Sequence, residues 1–186
     1  MKHKFETIEE LNKYFEDKIA GGFFKADMAV QKEEIEKLKA GDVYLEIGVD
    51  EGKSLSCAYF AAKEGVFCVG VDYIDPPARA PYMNQPFGYS PQGQGLIVHG
   101  SSMMYIHGDA EMVAKVWDRP INLLFIDGDH SYEGVKKDHD AWYPKVIKGG
   151  TVLYHDYDHP DTKRFLDDTF GKNKEILHNK IVRVRK

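Results

Sequence analysis

Cysteine, long apolar runs and positive charge are what this 186-residue sequence is short of. Its two cysteines, Cys57 and Cys68, sit inside apolar patterning, one on an expected helix and one on an expected strand. They read as buried, reduced hydrophobes, and a disulfide scaffold is excluded. No apolar stretch approaches the ~20 residues that a membrane-spanning helix requires. The opening Met1-Lys2-His3-Lys4 runs into a polar helix and not into a signal-peptide core. A cytoplasmic protein without a membrane partner is therefore expected. Lysine and arginine number 25 against 30 aspartates and glutamates, a formal charge of −5, and basic residues gather only at Lys180, Arg183, Arg185 and Lys186. That balance argues against nucleic acid as a partner. The length and composition suit one globular domain over residues 1–186, with helices in 1–40 and the core in 41–186.

Two common nucleotide loops are missing as well. Val43-Tyr44-Leu45-Glu46-Ile47 is a short apolar run containing one acid. Gly48 and Gly52 follow, and then Leu55, Ala58, Tyr59 and Ala62 in helical spacing up to Gly65. This is a strand, a tight turn and a helix. A phosphate-cradling loop needs four residues between its first glycine and Gly-Lys-Ser. Here there are only Val49, Asp50 and Glu51, and two of these would repel phosphate. The dinucleotide pattern Gly-x-Gly-x-x-Gly fails because Ile47 and Val49 flank Gly48. A carboxylate-rich turn at a strand end suits a cation.

Before this turn, Thr7-Ile8-Glu9-Glu10 has capping-box spacing, with Ile8, Leu11, Phe15 and Ile19 on one helical face. A second helix is expected from Met28 to Lys39. After it, Val66 to Asp72 reads as a buried strand, and Asp72, 24 residues beyond Gly48, stands where a ribose diol is held in this architecture. Residues 73–95 carry five prolines together with Tyr82, Phe87 and Tyr89, the composition of a substrate-site wall or lid. Leu96 to His99 is expected as the third strand, followed by Ser101 and by a helix through Ala110, Val113, Ala114 and Trp117. Asn122 to Ile126 is the fourth, ending in Asp127-Gly128-Asp129-His130, and the next helix should keep Val135, Trp142 and Val146 inward until Gly149-Gly150. Thr151 to Tyr154 is the fifth, ending in His155-Asp156. A short helix through Phe165, Leu166 and Phe170 and a hairpin of Glu175–His178 with Ile181–Arg185 close the chain. Polar clusters at the carboxyl ends of successive strands mark the ligand edge of an open parallel sheet.

Glu46-x-Gly48-x-x-x-Gly52 resembles the first motif of class I S-adenosylmethionine-dependent methyltransferases. The run Phe125-Ile-Asp-Gly-Asp-His-Ser-Tyr-Glu-Gly-Val135, the spacing to Asp138 and Trp142, and Gly149-Gly150 followed by His155-Asp156 resemble one branch of them. That branch holds macrocin O-methyltransferase-like and cephalosporin-cluster methylase-like proteins, and the likeness covers roughly residues 28 to 158. It implies a doubly wound, mostly parallel α/β sheet of seven strands in the order 3-2-1-4-5-7-6, the last antiparallel, with two N-terminal helices. It also implies S-adenosylmethionine held by Glu46, Gly48, Gly52, Ser54, Asp72, Ser101 and Asp127, while Phe23, Phe24 and Gln31 either fold over the cofactor or serve in packing. In metal-dependent relatives of the caffeoyl-CoA and catechol type the equivalent positions bind a divalent cation, which carries over to Asp127, His155 and Asp156. His155 departs from that pattern, since those relatives have Asp, Glu or, one place on, Asn. A mixed carboxylate and imidazole set suits manganese, iron or zinc at least as well as magnesium.

The activity so implied is methyl transfer to a small-molecule acceptor, a hydroxyl first of all, with His155, His130 and Asp127 as catalytic residues. Either a cation or one of the two histidines would activate the acceptor. His139 shares the face of Val135 and Trp142 and reads as a core histidine. A nicotinamide-dependent oxidoreductase and a non-catalytic cofactor-binding protein use the same sheet and stay open, as does a homodimer.

Overall fold

The computed structural model describes residues 7–16, 22–73, 96–99 and 102–186. Beyond Tyr73 the expected lid lies outside the described residues, as do Ile19 and Ser101. Helices α1 (Ile8–Glu16) and α2 (Lys25–Ile35) lead into β1 (Val43–Ile47), α3 (Lys53–Ala61), β2 (Phe67–Asp72), β3 (Leu96–His99), β4 (Met103–His107) and α4 (Ala110–Val116). Then come β5 (Ile121–Ile126), α5 (Tyr132–Trp142), a 3-10 turn at Tyr143–Lys145, β6 (Val146–Tyr154), α6 (Pro160–Phe170), β7 (Glu175–Ile176) and β8 (Val182–Arg185).

The strands form one sheet in the order β3-β4-β2-β1-β5-β6-β8-β7. β4, β2, β1, β5 and β6 run parallel, while β8 lies antiparallel to β6 and β7 antiparallel to β8. Setting β3 aside, the other seven have the expected order 3-2-1-4-5-7-6. One assignment needs correction, because the third place beside β2 belongs to Met103–His107 and not to Leu96–His99. The latter pairs antiparallel on the outer edge of β4. Both runs are apolar and short, and only the direction of pairing separates them. The helix after β5 also stops earlier than expected. Pro144 has no N–H to donate to the carbonyl four residues back, so α5 ends at Trp142, a 3-10 turn follows, and Val146 opens a strand.

Alternating side chains send each parallel strand into two cores, as a doubly covered sheet requires. Tyr44, Cys68, Phe125 and Leu153 face Met28 and Ile35 of α2 and Leu55 and Ala58 of α3. Leu45, Val69, Leu124 and Val152 face Ala114, Val135, Trp142, Phe165 and Leu166 of α4, α5 and α6. Among the described residues no helix is long and apolar enough to cross a membrane.

The strand ends come unusually close at Gly48. Its φ is +82°, and a Cβ there would stand 2.1 Å from the carbonyl oxygen of Asp127. This glycine is thus required by the neighbouring strand end, whatever ligand approaches it. Gly48→Ala combines a left-handed backbone cost of about 1–2 kcal/mol with an overpacking cost of about 1–3 kcal/mol. Denaturant melts should show a loss of roughly 2–5 kcal/mol from these two sources, and a loss below about 1 kcal/mol would mean that the two strand ends do not meet as described.

Candidate active site

Backbone hydrogen bonds carry each ladder one residue past its strand. Gly48 N–H donates to Val71 O at 3.0 Å, Asp127 N–H to Ile47 O at 2.8 Å, His155 N–H to Ile126 O at 3.0 Å and Gly108 N–H to Asp72 O at 2.8 Å. The polar residues that end β1, β2, β4, β5 and β6 therefore stand along one edge. They surround a cavity of about 540 Å³, within the range of small-molecule clefts.

At one end of this cavity lies the glycine turn. Asp72 is buried, and its Oδ2 accepts the N–H groups of Val49 at 2.7 Å and Asp50 at 2.9 Å. Gly48 N–H is spent on Val71 O, and Gly52 N–H on Val49 O at 2.7 Å. Four N–H groups of the turn are thus directed into the protein. Asp50 adopts a left-handed φ of +47°, uncommon outside glycine, to complete this wrap around the Asp72 carboxylate. Glu46 lies fully buried beneath the turn, accepting from Ser54 Oγ at 2.5 Å and from the Tyr44 hydroxyl. Tyr44 in turn accepts from Gln31 Nε2 at 2.8 Å. Burial pushes the Glu46 carboxyl up to about 8 against the pull of these two donors, with Asp127 and Asp72 adding to the rise. Asp50, Glu51, Asp72, Asp109, Asp129 and Asp138 line this end, with Lys53 and Lys137 the opposing cations. Burial, reinforced by Asp129 and Asp109, likewise raises Asp138 to about 7.

The other end is built on β5 and β6. His155 is buried, with Nδ1 3.0 Å from Asp127 Oδ1 and 3.2 Å from Asp156 Oδ2, and Nε2 3.5 Å from Asp27 Oδ1 on α2. These are ion-pair distances, and neither ring nitrogen makes a directed hydrogen bond. Burial opposes charge on this ring, but Asp127, Asp156 and Asp27 outweigh it and raise His155 to about 12. Burial works against ionised Asp156 too, yet His155, His130 and Lys180 hold its carboxyl well below the usual range. Its backbone is left-handed, φ +51°, which turns the side chain into the crevice. His130 is reached from solvent, its Nε2 3.1 Å from Asp156 Oδ2 and 3.7 Å from Asp127 Oδ1, and Asp127 above all raises its pKa.

Asp127, His130 and Asp156 each offer a ligand atom within 4.8 Å of the others. Two carboxylates and an imidazole suit a divalent ion. The Nδ1 of His155 stands beside the same carboxylates and would join the set only by releasing its proton as the ion binds, so these residues fit the metal that the resemblance implies. The expected cofactor also fits, because an acidic turn with four of its N–H groups already bonded favours a sulfonium and ammonium over a pyrophosphate.

Gly48, Ser54, Asp72, Asp127, His130, His155 and Asp156 all line the one cavity. Glu46 and Gly52 do not. Glu46 acts through Ser54, and Gly52 caps α3 with φ +80°. Phe23 lines the cavity and packs edge-on against Phe125 at 6.0 Å, whereas Gln31 serves the Tyr44 chain. His139 bonds the Tyr154 hydroxyl at 2.6 Å, away from the cavity. Sequence patterning does not mark Asp109 or Asp138 as cavity residues. Asp109 follows the true third parallel strand, and the cap it gives Met112 N–H at 2.9 Å is the one signal that could have found it.

The strand order and strand-end crevice are those of the class I methyltransferase fold. Residues 45–157, more than half of the chain, match the methyltransferase domain family, and the chain belongs to that family. An uncharacterised protein of Acanthamoeba polyphaga mimivirus is 30% identical over 151 residues, which cover 78% of this chain and 65% of that protein. The chain thus spans somewhat less than two thirds of that relative. Among solved structures, an O-methyltransferase from Bacillus cereus bound to S-adenosylhomocysteine superimposes with a TM-score of 0.64 at 13% identity, covering 99% of this chain and 92% of that one. The mycinamycin-pathway methyltransferase MycE, with Mg, S-adenosylhomocysteine and mycinamycin VI, gives 0.64 at 16% identity, over 100% and 55%. At these identities the likeness is one of fold.

The charges at the acceptor end set a pH signature. His155, raised from 6.5 to about 12, contributes stability that is complete below pH 6.5 and is lost as pH climbs toward 12. Asp156, lowered from 3.8, contributes stability that is complete above that value and is lost as pH falls. In chelator-treated protein the stability advantage of wild type over His155→Gln should shrink between pH 6.5 and 10, at up to roughly 1.4 kcal/mol per pH unit. An advantage constant over that range would mean that His155 is not a buried cation.

Proposed function

We propose that this chain is an S-adenosylmethionine-dependent O-methyltransferase acting on a small-molecule hydroxyl, with a divalent cation at the acceptor end. The observation that carries the donor assignment is the glycine turn, whose N–H groups wrap the Asp72 carboxylate and whose walls are acidic. A pyrophosphate would find carboxylates there, and a nicotinamide dinucleotide would lack its binding loop. Similarity to the macrocin- and cephalosporin-type branch at Phe125–Val135, together with the Mg reported in MycE, supports the cation.

The donor supplies a methyl group on a cationic sulfur, and the divalent ion lowers the pKa of a nearby hydroxyl. Asp72 and Ser54 position the adenosyl and methionyl parts. They are joined there by Asp109 beyond the end of β4, which lines the same cavity, and Glu46 holds Ser54 from below. Asp127 and Asp156 fix the acceptor end. In the transfer the acceptor oxygen forms a bond to the methyl carbon while the carbon–sulfur bond breaks, its electron pair going to sulfur to leave neutral S-adenosylhomocysteine. With His130 among the ion's ligands the hydroxyl proton leaves to water at the open side of the site; without an ion it leaves to His130, the imidazole that a ligand reaches, while His155 is enclosed by carboxylates. Positioning of donor and acceptor in line supplies most of the remaining acceleration.

The same geometry supports a metal-free version in which His130 alone accepts the proton. Transfer of a labelled methyl group to a panel of hydroxyl acceptors, before and after exhaustive chelation, separates the two. With a cation, Asp127→Asn and Asp156→Asn should each lower turnover by at least about 100-fold, and the chelator should reproduce that loss. Full turnover after chelation would overturn the cation and leave the His130 mechanism. An absence of transfer to every acceptor despite cofactor binding would favour a non-catalytic role.

A further inference from the structure

Asp27, on the first turn of α2, is far in sequence from the strand ends yet touches them. Only 1% of it is exposed. One oxygen, Oδ2, accepts the Phe24 N–H at 2.8 Å and so caps α2. The other, Oδ1, lies 3.0 Å from His178 Nε2 and 3.5 Å from His155 Nε2 and has no directed hydrogen bond of its own. A carboxylate that serves only its helix would not have two imidazoles on its second oxygen.

The tautomers follow from the partners. Lys180 N–H donates to His178 Nδ1 at 3.2 Å, so this nitrogen carries the lone pair and the His178 proton sits on Nε2, facing Asp27. A carboxylate only accepts hydrogen bonds, so His155 must also present an N–H from Nε2. The remaining nitrogen of His155, Nδ1, faces Asp127 and Asp156. We propose that Asp27 is a positioning residue that faces Nε2–H of the His155 imidazolium, so that when a divalent ion binds it is the Nδ1 proton that leaves and Nδ1 that is offered to the acceptor end, with His178 as the second donor that keeps the Asp27 carboxylate in place. The arrangement is that of the outer carboxylates that orient metal-binding histidines, and its catalytic meaning rests on the function proposed above. It also gives the N-terminal helix a direct part in the site, at the acceptor end through Asp27 and at the turn through Gln31, Tyr44 and Glu46.

Asp27→Asn is the informative variant. Its amide oxygen keeps the cap on Phe24 N–H, and its NH₂ then confronts two N–H donors. In protein labelled with ¹⁵N-histidine, wild type should show slowly exchanging Nε2 protons on His155 and His178. The variant should move the ring signals of both while those of His139 stay in place. Its affinity for Mn²⁺, measured by calorimetry, should fall about 10–100-fold, with affinity for S-adenosylhomocysteine unchanged. Unmoved His155 signals in Asp27→Asn would overturn the proposal. If that variant does not fold, wild type decides: a His155 Nε2 proton in fast exchange with water overturns the proposal, and a protected one supports it. The imidazole spectra give this answer whether or not Mn²⁺ binds. Failure of wild type to bind S-adenosylhomocysteine would instead count against the methyltransferase reading alone.

Discussion

A buried imidazolium among three carboxylates is the interaction on which the acceptor end depends. His155 lies within 3.5 Å of Asp27, Asp127 and Asp156, which come from α2 and from the ends of β5 and β6. Removing one partner of a buried charge pair typically costs about 3–5 kcal/mol, because the other charge is left without compensation. Here one ring faces three acids at once, with His178 beside Asp27 and His130 and Lys180 beside Asp156 as further partners. It therefore holds the N-terminal helix, two strand ends and the left-handed Asp156 backbone in a single arrangement. A divalent ion between Asp127 and Asp156 would relieve the same repulsion.

The glycine-turn end solves a related problem without a buried cation, since Lys53 is half-buried and Lys137 exposed. Asp72 is neutralised by backbone N–H groups, which are hydrogen-bond donors that bring no countercharge. Glu46 is kept near neutrality by burial, its pKa raised to about 8. The lining stays acidic, and a ligand with a sulfonium and an ammonium group is what would complete it. The two ends thus differ in sign of demand, one already holding its cation and the other requiring it from the ligand. That contrast suits a reaction in which positive charge leaves the donor as the methyl group moves.

Much of this is legible in the sequence, and the failures have local causes. Strand-turn patterning places Gly48, Asp72, Asp127 and His155, because a buried apolar run of a parallel sheet that stops at a polar residue stops at the ligand edge. It misplaces the third strand because Leu96–His99 and Met103–His107 are equally apolar and only three residues apart in sequence. Only pairing with β2 distinguishes them. Asp109 is lost in consequence. The roles of Glu46 and Gly52 are not legible, since whether a residue at a strand end lines the cavity or lies beneath it depends on the twist of the sheet. Asp27 has no sequence signal beyond its cap, because its contact with His155 joins residues far apart in the chain.

The central claim is that this cavity takes a sulfonium-type nucleoside and not a dinucleotide. Calorimetric titration of metal-free chain with S-adenosylhomocysteine, with NADH titrated in parallel, tests it most directly. The account predicts one saturable site for S-adenosylhomocysteine, present with or without chelator, and no binding of NADH. Saturable NADH binding in a chain that ignores S-adenosylhomocysteine would contradict it.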